Sequence, residues 1–292
     1  MAANTAFLFP GQGTVPEALP EDAYGRDLVR RAEERGVPLR ERVAAGDALA
    51  LRSTEIAQPL IFIDSVAKLA ALRGLGIEPV ATAGHSLGEY AALVCAGVLD
   101  AHAGLDLVIE RGRAMAAVSG AMAAVVKLTL SEVEAICAEV GDEVTVANVN
   151  GERQIVVSGT EEAVASVADA AVAGGGRAFP LAVSGPFHTP LMRGASTRFA
   201  ATLEAIPFRE PDVTFVSAVS GAEERGGDRL KSLMTEQMLA CVRWLDVMQR
   251  LGDAGIERAV EVGPGRVLIG LGSRILPELP IMTYEEAIAD HG

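Results

Sequence analysis

A serine between two glycines, within residues 84–88 (GHSLG), is the part of this sequence best suited to nucleophilic chemistry. The spacing is that of a G-x-S-x-G nucleophile elbow, in which a tight turn between a strand and a helix exposes the serine hydroxyl. The same spacing also occurs in ordinary turns, so the flanking sequence decides. The apolar residues 79–83 predict a strand, and the Ala- and Leu-rich residues 89–96 predict a helix that stops at Gly97. We therefore predict that Ser86 is a nucleophile held above the end of a strand.

A serine hydroxyl needs a neighbouring base, and the chain has four histidines. His85 neighbours the serine in sequence, but at an elbow its side chain should point away from it. His102 is expected in a turn, and His291 lies at the end of the chain. His188 lies in the Gly- and Pro-rich loop 184–190, and loops at the carboxyl edge of a parallel sheet form sites. Elimination therefore favours His188 as the general base over a structural role.

Backbone N–H groups at a helix N-terminus can stabilise the oxyanion of an acyl-transfer intermediate. The N–H of Leu87, directly after the serine, is the first candidate. A second comes from the loop 10–13 (PGQG), which follows a predicted strand at residues 6–9. In that loop Gln12 is either an ordinary turn residue or a neighbour of the elbow that adds its own N–H.

Arg111 has two interpretations. On the surface of a predicted helix at residues 101–118, it would pair with Glu110 or Glu89, which is the commoner fate of an arginine. Beside the elbow, its planar guanidinium would bind a carboxylate through two hydrogen bonds. The second interpretation would select acyl groups that end in a carboxylate.

Composition excludes several classes of protein. The chain has 292 residues, of which 50% are hydrophobic, so it can bury a large core and is not generally disordered. No apolar run approaches the roughly 20 residues of a membrane span, and residues 1–5 lack a signal-peptide pattern. We therefore expect a soluble, cytoplasmic protein with no membrane partner. Three widely spaced cysteines fit no metal site, so buried free thiols and no metal are expected.

The net charge of −14 argues against nucleic acid as a partner. It also means that an anionic cofactor or an acidic carrier protein would need basic side chains gathered near the entrance to the site. The alternative is that these side chains belong to solvated helix faces. The candidates are Arg153, Arg177, Arg193, Arg198 and Arg243.

The order of elements predicts an α/β fold in two parts. Alternating strands and helices in residues 1–121 and 184–292 predict a large subdomain with a mostly parallel sheet covered on both faces. Residues 122–183 follow the order βαββαβ of a ferredoxin-like unit, inserted as a small subdomain. The last strand is expected at residues 259–262.

Three local expectations are specific enough to test. An apolar helix is expected from about residue 60 to 73, with Pro59 near its first turn. Another helix should begin with Ser131 as its N-cap and Glu134 as the capping-box partner. A single helix is expected across residues 230–251.

Taken together, these residues resemble the malonyl-CoA:acyl-carrier-protein transacylases and the acyltransferase domains of polyketide synthases. The matching pieces occur in the family's order over nearly the whole chain. The sequence departs from the usual pattern at Thr14-Val15, Ala116 and Cys241, none of which would be a catalytic group. The matching pieces are residues 9–13 (FPGQG), 58–59 (QP), 84–89 (GHSLGE), 110–113 (ERGR) with Met115, 148–150 (NVN), 186–188 (PFH), Gln237 with Val242 and Trp244, and 261–265 (EVGPG).

The resemblance implies a hydrolase-like core with the ferredoxin-like insert, and a Ser86–His188 dyad without a carboxylate third member. The imidazole would be held by the backbone carbonyl of Gln237. Phe187 looks like the malonyl-selective form of its loop. The implied oxyanion donors are Gln12 and Leu87, and the implied substrate-binding residues are Arg111, which would bind the malonyl carboxylate, Phe187, Met115 and Asn150.

The implied reaction is a ping-pong transfer. The serine takes malonyl from malonyl-CoA, and the phosphopantetheine thiol of an acyl carrier protein then attacks the ester. The resemblance implies a monomer with no permanently bound cofactor, serving fatty-acid, polyketide or malonate-decarboxylating pathways. One alternative is an acyl hydrolase that edits carrier thioesters, whose relatives tend to lack the arginine at Arg111. Another is a non-catalytic docking module, which would be expected to lack Ser86 or His188.

Overall fold

A computed structural model describes residues 4–291 of the chain. Residues 1–3, on which the expectation of no signal peptide partly rests, and residue 292 lie outside the described residues. Within residues 4–291, none of the helices combines the length and the apolar character that crossing a membrane requires.

The strands are β1 (Thr5–Phe9), β2 (Ala81–Gly84), β3 (Ala121–Val126), β4 (Val144–Gly151), β5 (Gln154–Gly159), β6 (Arg177–Pro180), β7 (Thr214–Val216), β8 (Glu223–Glu224), β9 (Arg258–Glu261) and β10 (Ile281–Thr283). The helices are α1 (Ala23–Glu34), α2 (Leu39–Ala45), α3 (Ala48–Leu51), α4 (Thr54–Gly74), α5 (Gly88–Cys95), α6 (Ala101–Ala116), α7 (Leu130–Val140), α8 (Glu161–Ala173), α9 (Arg193–Glu204), α10 (Gly227–Glu236), α11 (Trp244–Asp253), α12 (Val267–Ile275) and α13 (Tyr284–His291).

The larger sheet has the strand order β10-β9-β1-β2-β7-β8. All pairings are parallel except that of β8 with β7. Every residue of the central strand β1 is buried, because helices cover both faces of the sheet. The mostly parallel sheet predicted from the sequence is therefore confirmed. The carboxyl ends of β1 and β2 lie side by side, with Phe9 paired to Gly84.

The smaller sheet is antiparallel, with the strand order β4-β5-β3-β6. Its buried core includes Val125 and Val157 from the strands and Val133 and Val167 from helices α7 and α8. A short parallel bridge joins β4 to the segment before α11. There the N–H of Val149 donates to the Val242 carbonyl at 2.9 Å, and the Val242 N–H donates to β4 in turn.

Two predicted helix starts are wrong. Helix α4 begins at Thr54, so Pro59 lies inside it rather than near its first turn. Proline there removes one N–H from the ladder, but burial of most of the helix holds the remaining turns in place. Helix α7 is capped by Thr129, not by Ser131. The Thr129 hydroxyl accepts from the Glu132 N–H, and the Glu132 carboxylate accepts from the Thr129 N–H at 2.7 Å, which completes the capping box.

The single helix predicted at residues 230–251 is broken between α10 and α11, and the N–H groups of Val242 and Arg243 bond to remote carbonyls. Carbonyls in this segment accept from His188, and Val242 pairs with β4. His102 lies in the first turn of α6, not in a loop, and its Nε2 is 2.7 Å from an oxygen of Asp27. Strand β10 and helix α13 follow β9, so the predicted last strand is not the last, and His291 belongs to α13.

Candidate active site

The turn between β2 and α5 has the geometry of a nucleophile elbow. Ser86 adopts φ +52°, a left-handed conformation that is strained for a residue other than glycine. The flanking glycines permit the close packing, because a Cβ on Gly88 would lie 2.0 Å from the carbonyl oxygen of Phe9. A Cβ on Gly84 would lie 2.1 Å from the backbone of Gly88. The elbow therefore fits only because two of its positions carry no side chain.

Ser86 and His188 form a hydrogen-bonded pair. The Ser86 Oγ lies 2.7 Å from the His188 Nε2. The other ring nitrogen, Nδ1, is 2.9 Å from the Gln237 carbonyl oxygen and 3.0 Å from that of Ala240. Since carbonyl oxygens only accept, Nδ1 must carry the ring proton and Nε2 must accept from the serine hydroxyl. Among residues 4–291, no carboxylate hydrogen-bonds this imidazole.

The His188 ring is held neutral. Burial lowers its pKa to about 3, and the positive charge of Arg111 acts in the same direction. A neutral imidazole with a free Nε2 lone pair is the form that a general base requires. His188 also has a positive φ of 61°, a left-handed conformation that is strained for a residue other than glycine.

Arg111 lies beside the nucleophile and is fully buried. Its Nη2 donates to the Ser86 Oγ at 3.0 Å, its Nη1 to Gln58 Oε1 at 2.9 Å, and its Nε to Gln237 Oε1 at 3.2 Å. All three acceptors are neutral. Of the two interpretations of Arg111, the surface pairing does not occur, because the side chain is buried and Glu110 pairs with Arg35 and Arg113. A buried guanidinium with only neutral partners is suited to binding an anion next to the serine.

Two backbone N–H groups at or beside the elbow have no acceptor among the described residues. Within residues 4–291, neither the Leu87 nor the Gln12 N–H makes a hydrogen bond. The loop that carries Gln12 lies against the elbow, since a Cβ on Gly11 would lie 2.7 Å from the His85 carbonyl oxygen. The Gln12 side chain points away toward the start of α4, where its Nε2 is 3.4 Å from the Thr54 hydroxyl.

Three further residues, Phe187, Met115 and Asn150, were predicted to bind the substrate. Phe187 is buried directly before His188. Met115 is buried below Arg111, where its sulfur accepts from the Gln58 side chain at 3.4 Å. Among the hydrogen bonds of residues 4–291, none joins Asn150 to the serine. The Asn150 Oδ1 is instead 2.8 Å from the Nε2 of His85, whose ring points away from the dyad as expected.

Sequence reasoning assigned no function to the carboxylate of Glu89. This side chain is fully buried and accepts from the Ser217 hydroxyl at 3.0 Å, the Ala218 N–H at 2.9 Å and Gln237 Nε2 at 2.7 Å. Burial raises its pKa to about 7. The feature of the sequence that could have pointed to Glu89 is its place as a lone acidic residue at the start of an otherwise apolar helix. Within residues 4–291, no cluster of His, Cys, Asp and Glu could hold a metal ion.

The family model described as "Acyl transferase domain" matches residues 6–278. The chain is 39% identical over 282 residues to the malonyl CoA-acyl carrier protein transacylase of Synechocystis, covering 94% of this chain and 95% of that protein. It superposes on the crystal structure of FabD from Acinetobacter baumannii with a TM-score of 0.91, 32% identity and 99% of each chain covered. A malonyl-transacylase solved with a type II polyketide synthase acyl-carrier protein matches with a TM-score of 0.90, 34% identity and 96% of each chain covered. The chain therefore belongs to the acyl transferase domain family and is an acyltransferase.

Proposed function

We propose that this enzyme transfers malonyl from malonyl-CoA to the phosphopantetheine thiol of an acyl carrier protein. The observation that carries the proposal is the buried Arg111 guanidinium, 3.0 Å from the Ser86 Oγ and without a carboxylate partner. Its Nη groups can receive the free carboxylate of a malonyl group while the thioester carbonyl lies at the serine. The names of the relatives support both the substrate and the carrier as partner.

In the first half of the reaction, Ser86 becomes acylated. Its hydroxyl proton passes to the His188 Nε2 while Oγ attacks the thioester carbon of malonyl-CoA. The resulting oxyanion accepts from the N–H groups of Leu87 and Gln12, each lowering the barrier by about 3 to 4 kcal/mol when well aligned. The carbon–sulfur bond then breaks, and the CoA sulfur takes the proton from His188. No permanently bound cofactor takes part.

In the second half, the thiol of the carrier's phosphopantetheine replaces CoA. It gives its proton to His188 as its sulfur attacks the malonyl ester. The same N–H donors hold the second oxyanion, and the Ser86 oxygen leaves with the proton that His188 returns. One thioester is exchanged for another, so the transfer is nearly balanced in free energy.

The acyl pocket would combine the Arg111 guanidinium with apolar walls. Phe187 and Met115 are both buried and would restrict the acyl group on the apolar side. Asn150, which hydrogen-bonds His85, would border the pocket. A malonyl group would leave its carboxylate on Arg111, whereas an acetyl group would leave the guanidinium without an anion. The enzyme should therefore prefer malonyl over acetyl.

We also propose that the chain is divided into two subdomains. Residues 1–121 and 184–292 form a hydrolase-like large subdomain, and residues 122–183 form a ferredoxin-like small subdomain. The strand order β6-β3-β5-β4 and the element order βαββαβ support the second part. We expect the enzyme to act as a monomer.

The test is intact-mass analysis after brief mixing with malonyl-CoA or acetyl-CoA, followed by a phosphopantetheinylated carrier protein. The wild type should form a malonyl adduct that moves to the carrier. Ser86→Ala should form no adduct. Arg111→Ala should slow malonyl adduct formation by about two to three orders of magnitude, because it removes the charged partner of a buried carboxylate, and should leave acetyl little changed.

The matched control is Arg113→Ala on the same helix, since Arg113 is exposed and pairs with Glu110. It should behave like the wild type. An adduct that passes to water faster than to the carrier would instead identify the editing hydrolase. An unchanged malonyl preference in Arg111→Ala would overturn the role assigned to that residue.

A further inference from the structure

The Gln237 side chain makes three hydrogen bonds of fixed direction. Its Nε2 donates to Glu89 Oε2 at 2.7 Å and to the Ser86 carbonyl oxygen at 2.9 Å, and its Oε1 accepts from Arg111 Nε at 3.2 Å. A rotated amide would place its oxygen against two acceptors and its nitrogen against a donor. The direction of this amide therefore decides whether Arg111 has an acceptor at its Nε.

Glu89 helps to set that direction, together with the Ser86 carbonyl oxygen and the Arg111 Nε. In its ionised form the carboxylate only accepts hydrogen bonds, so the group that then faces it must be the nitrogen of the amide. Two further donors, the Ser217 hydroxyl and the Ala218 N–H, hold the other carboxylate oxygen and prevent the side chain from turning away. In the described part of the chain Glu89 hydrogen-bonds neither the serine hydroxyl nor the imidazole, so it is not assigned a part in the proton transfers.

We propose that Glu89 is a positioning residue that acts through Gln237 on Arg111 and on the Ser86 elbow. Its carboxylate orients the Gln237 amide, which holds the guanidinium at Nε and the elbow at the Ser86 carbonyl. The same residue, Gln237, holds the His188 ring through its backbone oxygen. This inference rests on the proposed function, because the property that Glu89 controls is the binding of the malonyl carboxylate.

Replacement of Glu89 by glutamine preserves its shape and changes only the pattern of donors and acceptors. The new amide can keep its oxygen toward Ser217 and Ala218, but its nitrogen then faces the nitrogen of Gln237. If Gln237 rotates to relieve this contact, its nitrogen faces the Nε of Arg111 instead. In either arrangement one buried donor lies against another, and Arg111 or its support must shift. The reverse arrangement, with the new oxygen toward Gln237, would place the new nitrogen against the Ala218 N–H, which is also a donor.

Glu89→Gln should therefore lower the rate constant for malonyl adduct formation about 10- to 100-fold and reduce the malonyl-to-acetyl ratio. The matched control is Glu261→Gln. Glu261 is also a buried carboxylate, but it accepts from the N–H groups of Leu268 and Ile269 at the start of α12. Its variant should lose stability and keep the wild-type malonyl-to-acetyl ratio.

Gln237→Met tests the same chain of contacts without altering the carboxylate. It keeps the backbone oxygen that holds His188 and removes the amide, so it should also reduce the malonyl-to-acetyl ratio. It provides the decisive measurement if Glu89→Gln does not fold. A wild-type ratio in a folded Glu89→Gln or Gln237→Met enzyme would overturn the positioning role.

Failure of this proposal can be distinguished from failure of the proposed function. If Arg111→Ala loses the malonyl preference while Glu89→Gln keeps it, the function stands and the positioning role of Glu89 is wrong. If Arg111→Ala keeps the preference, the carboxylate site itself is wrong, and with it the role that Glu89 would have in shaping it.

Discussion

Burial shifts the pKa values of Glu89 and His188 in opposite directions, and the two shifts have opposite effects on stability. Burial raises the Glu89 pKa from 4.5 to about 7, so its contribution to stability is complete below pH 4.5 and is lost as pH rises through 7. Burial lowers the His188 pKa from 6.5 to about 3, so its contribution is present above pH 6.5 and is lost as pH falls toward 3.

Replacing Glu89 by a neutral side chain isolates the contribution of Glu89 to the pH dependence of stability. Glu89→Gln keeps His188, so the histidine contribution cancels in the difference between the two proteins. The free energy of unfolding of the variant, relative to the wild type, should rise by about 3 kcal/mol between pH 4 and pH 8. Urea denaturation at a series of pH values measures this difference. A difference that does not change with pH would mean that Glu89 keeps an ordinary pKa in the folded protein.

The residue types of the site could be recognised from the sequence, but their contacts could not. Ser86 lies in a local motif, and His188 followed from elimination among four histidines. The acceptors of Arg111 are remote in sequence, since Gln58 and Gln237 lie 53 and 126 positions away. No local pattern encodes such distances, so the sequence left open whether the arginine is a surface charge or a buried one.

At the scale of elements, the elbow requires β1 and α5 to approach each other more closely than a methyl group allows. Gly88→Ala would place a Cβ 2.0 Å from the Phe9 carbonyl, so strand and helix must separate. We expect a loss of unfolding free energy on the order of 3 kcal/mol and loss of acyl-serine formation. Thermal denaturation and intact mass with malonyl-CoA measure the two effects.

Gly270→Ala is the matched control, since a Cβ there meets nothing within 4 Å and the residue lies within α12. It should raise the unfolding free energy by about 0.5 to 1 kcal/mol, because alanine loses less backbone freedom in a helix. Equal effects of the two substitutions would show that the close contact at the elbow is not what requires glycine.

Elements with strong local signals could be predicted well. The strand predicted at residues 6–9 and the helices predicted at residues 89–96 and 101–118 agree with β1, α5 and α6 to within two residues at each end, because the apolar spacing lies within each segment. The break between α10 and α11 was not visible, since residues 237–243 have a helical composition and are held open by contacts with His188 and β4. The short strand β10 depends on pairing with β9 and leaves little pattern of its own.

At the scale of the whole molecule, the two sheets meet beside the catalytic pair. Ser86 follows a strand of the larger sheet, whereas His188 lies in the segment that returns from the smaller sheet. The contact between His85 and Asn150, at 2.8 Å, joins the residue before the serine to β4. The ring of His85 also packs on Trp244, with centroids 5.4 Å apart. The position of one sheet relative to the other should therefore affect the geometry of the dyad.

Asn150→Ala tests this coupling. It removes the acceptor of His85, so we expect a loss of about 1 kcal/mol in unfolding free energy and a fall of about 3- to 10-fold in the rate of serine acylation. Rapid-quench measurement of the acyl-enzyme gives the rate. Gln154→Ala removes another contact across the two parts, since Gln154 accepts from Arg274 at 2.8 Å in an exposed hydrogen bond that involves neither Ser86 nor His188. If Gln154→Ala slows acylation as much as Asn150→Ala does, the effect comes from loosening the sheets in general rather than from the contact beside Ser86.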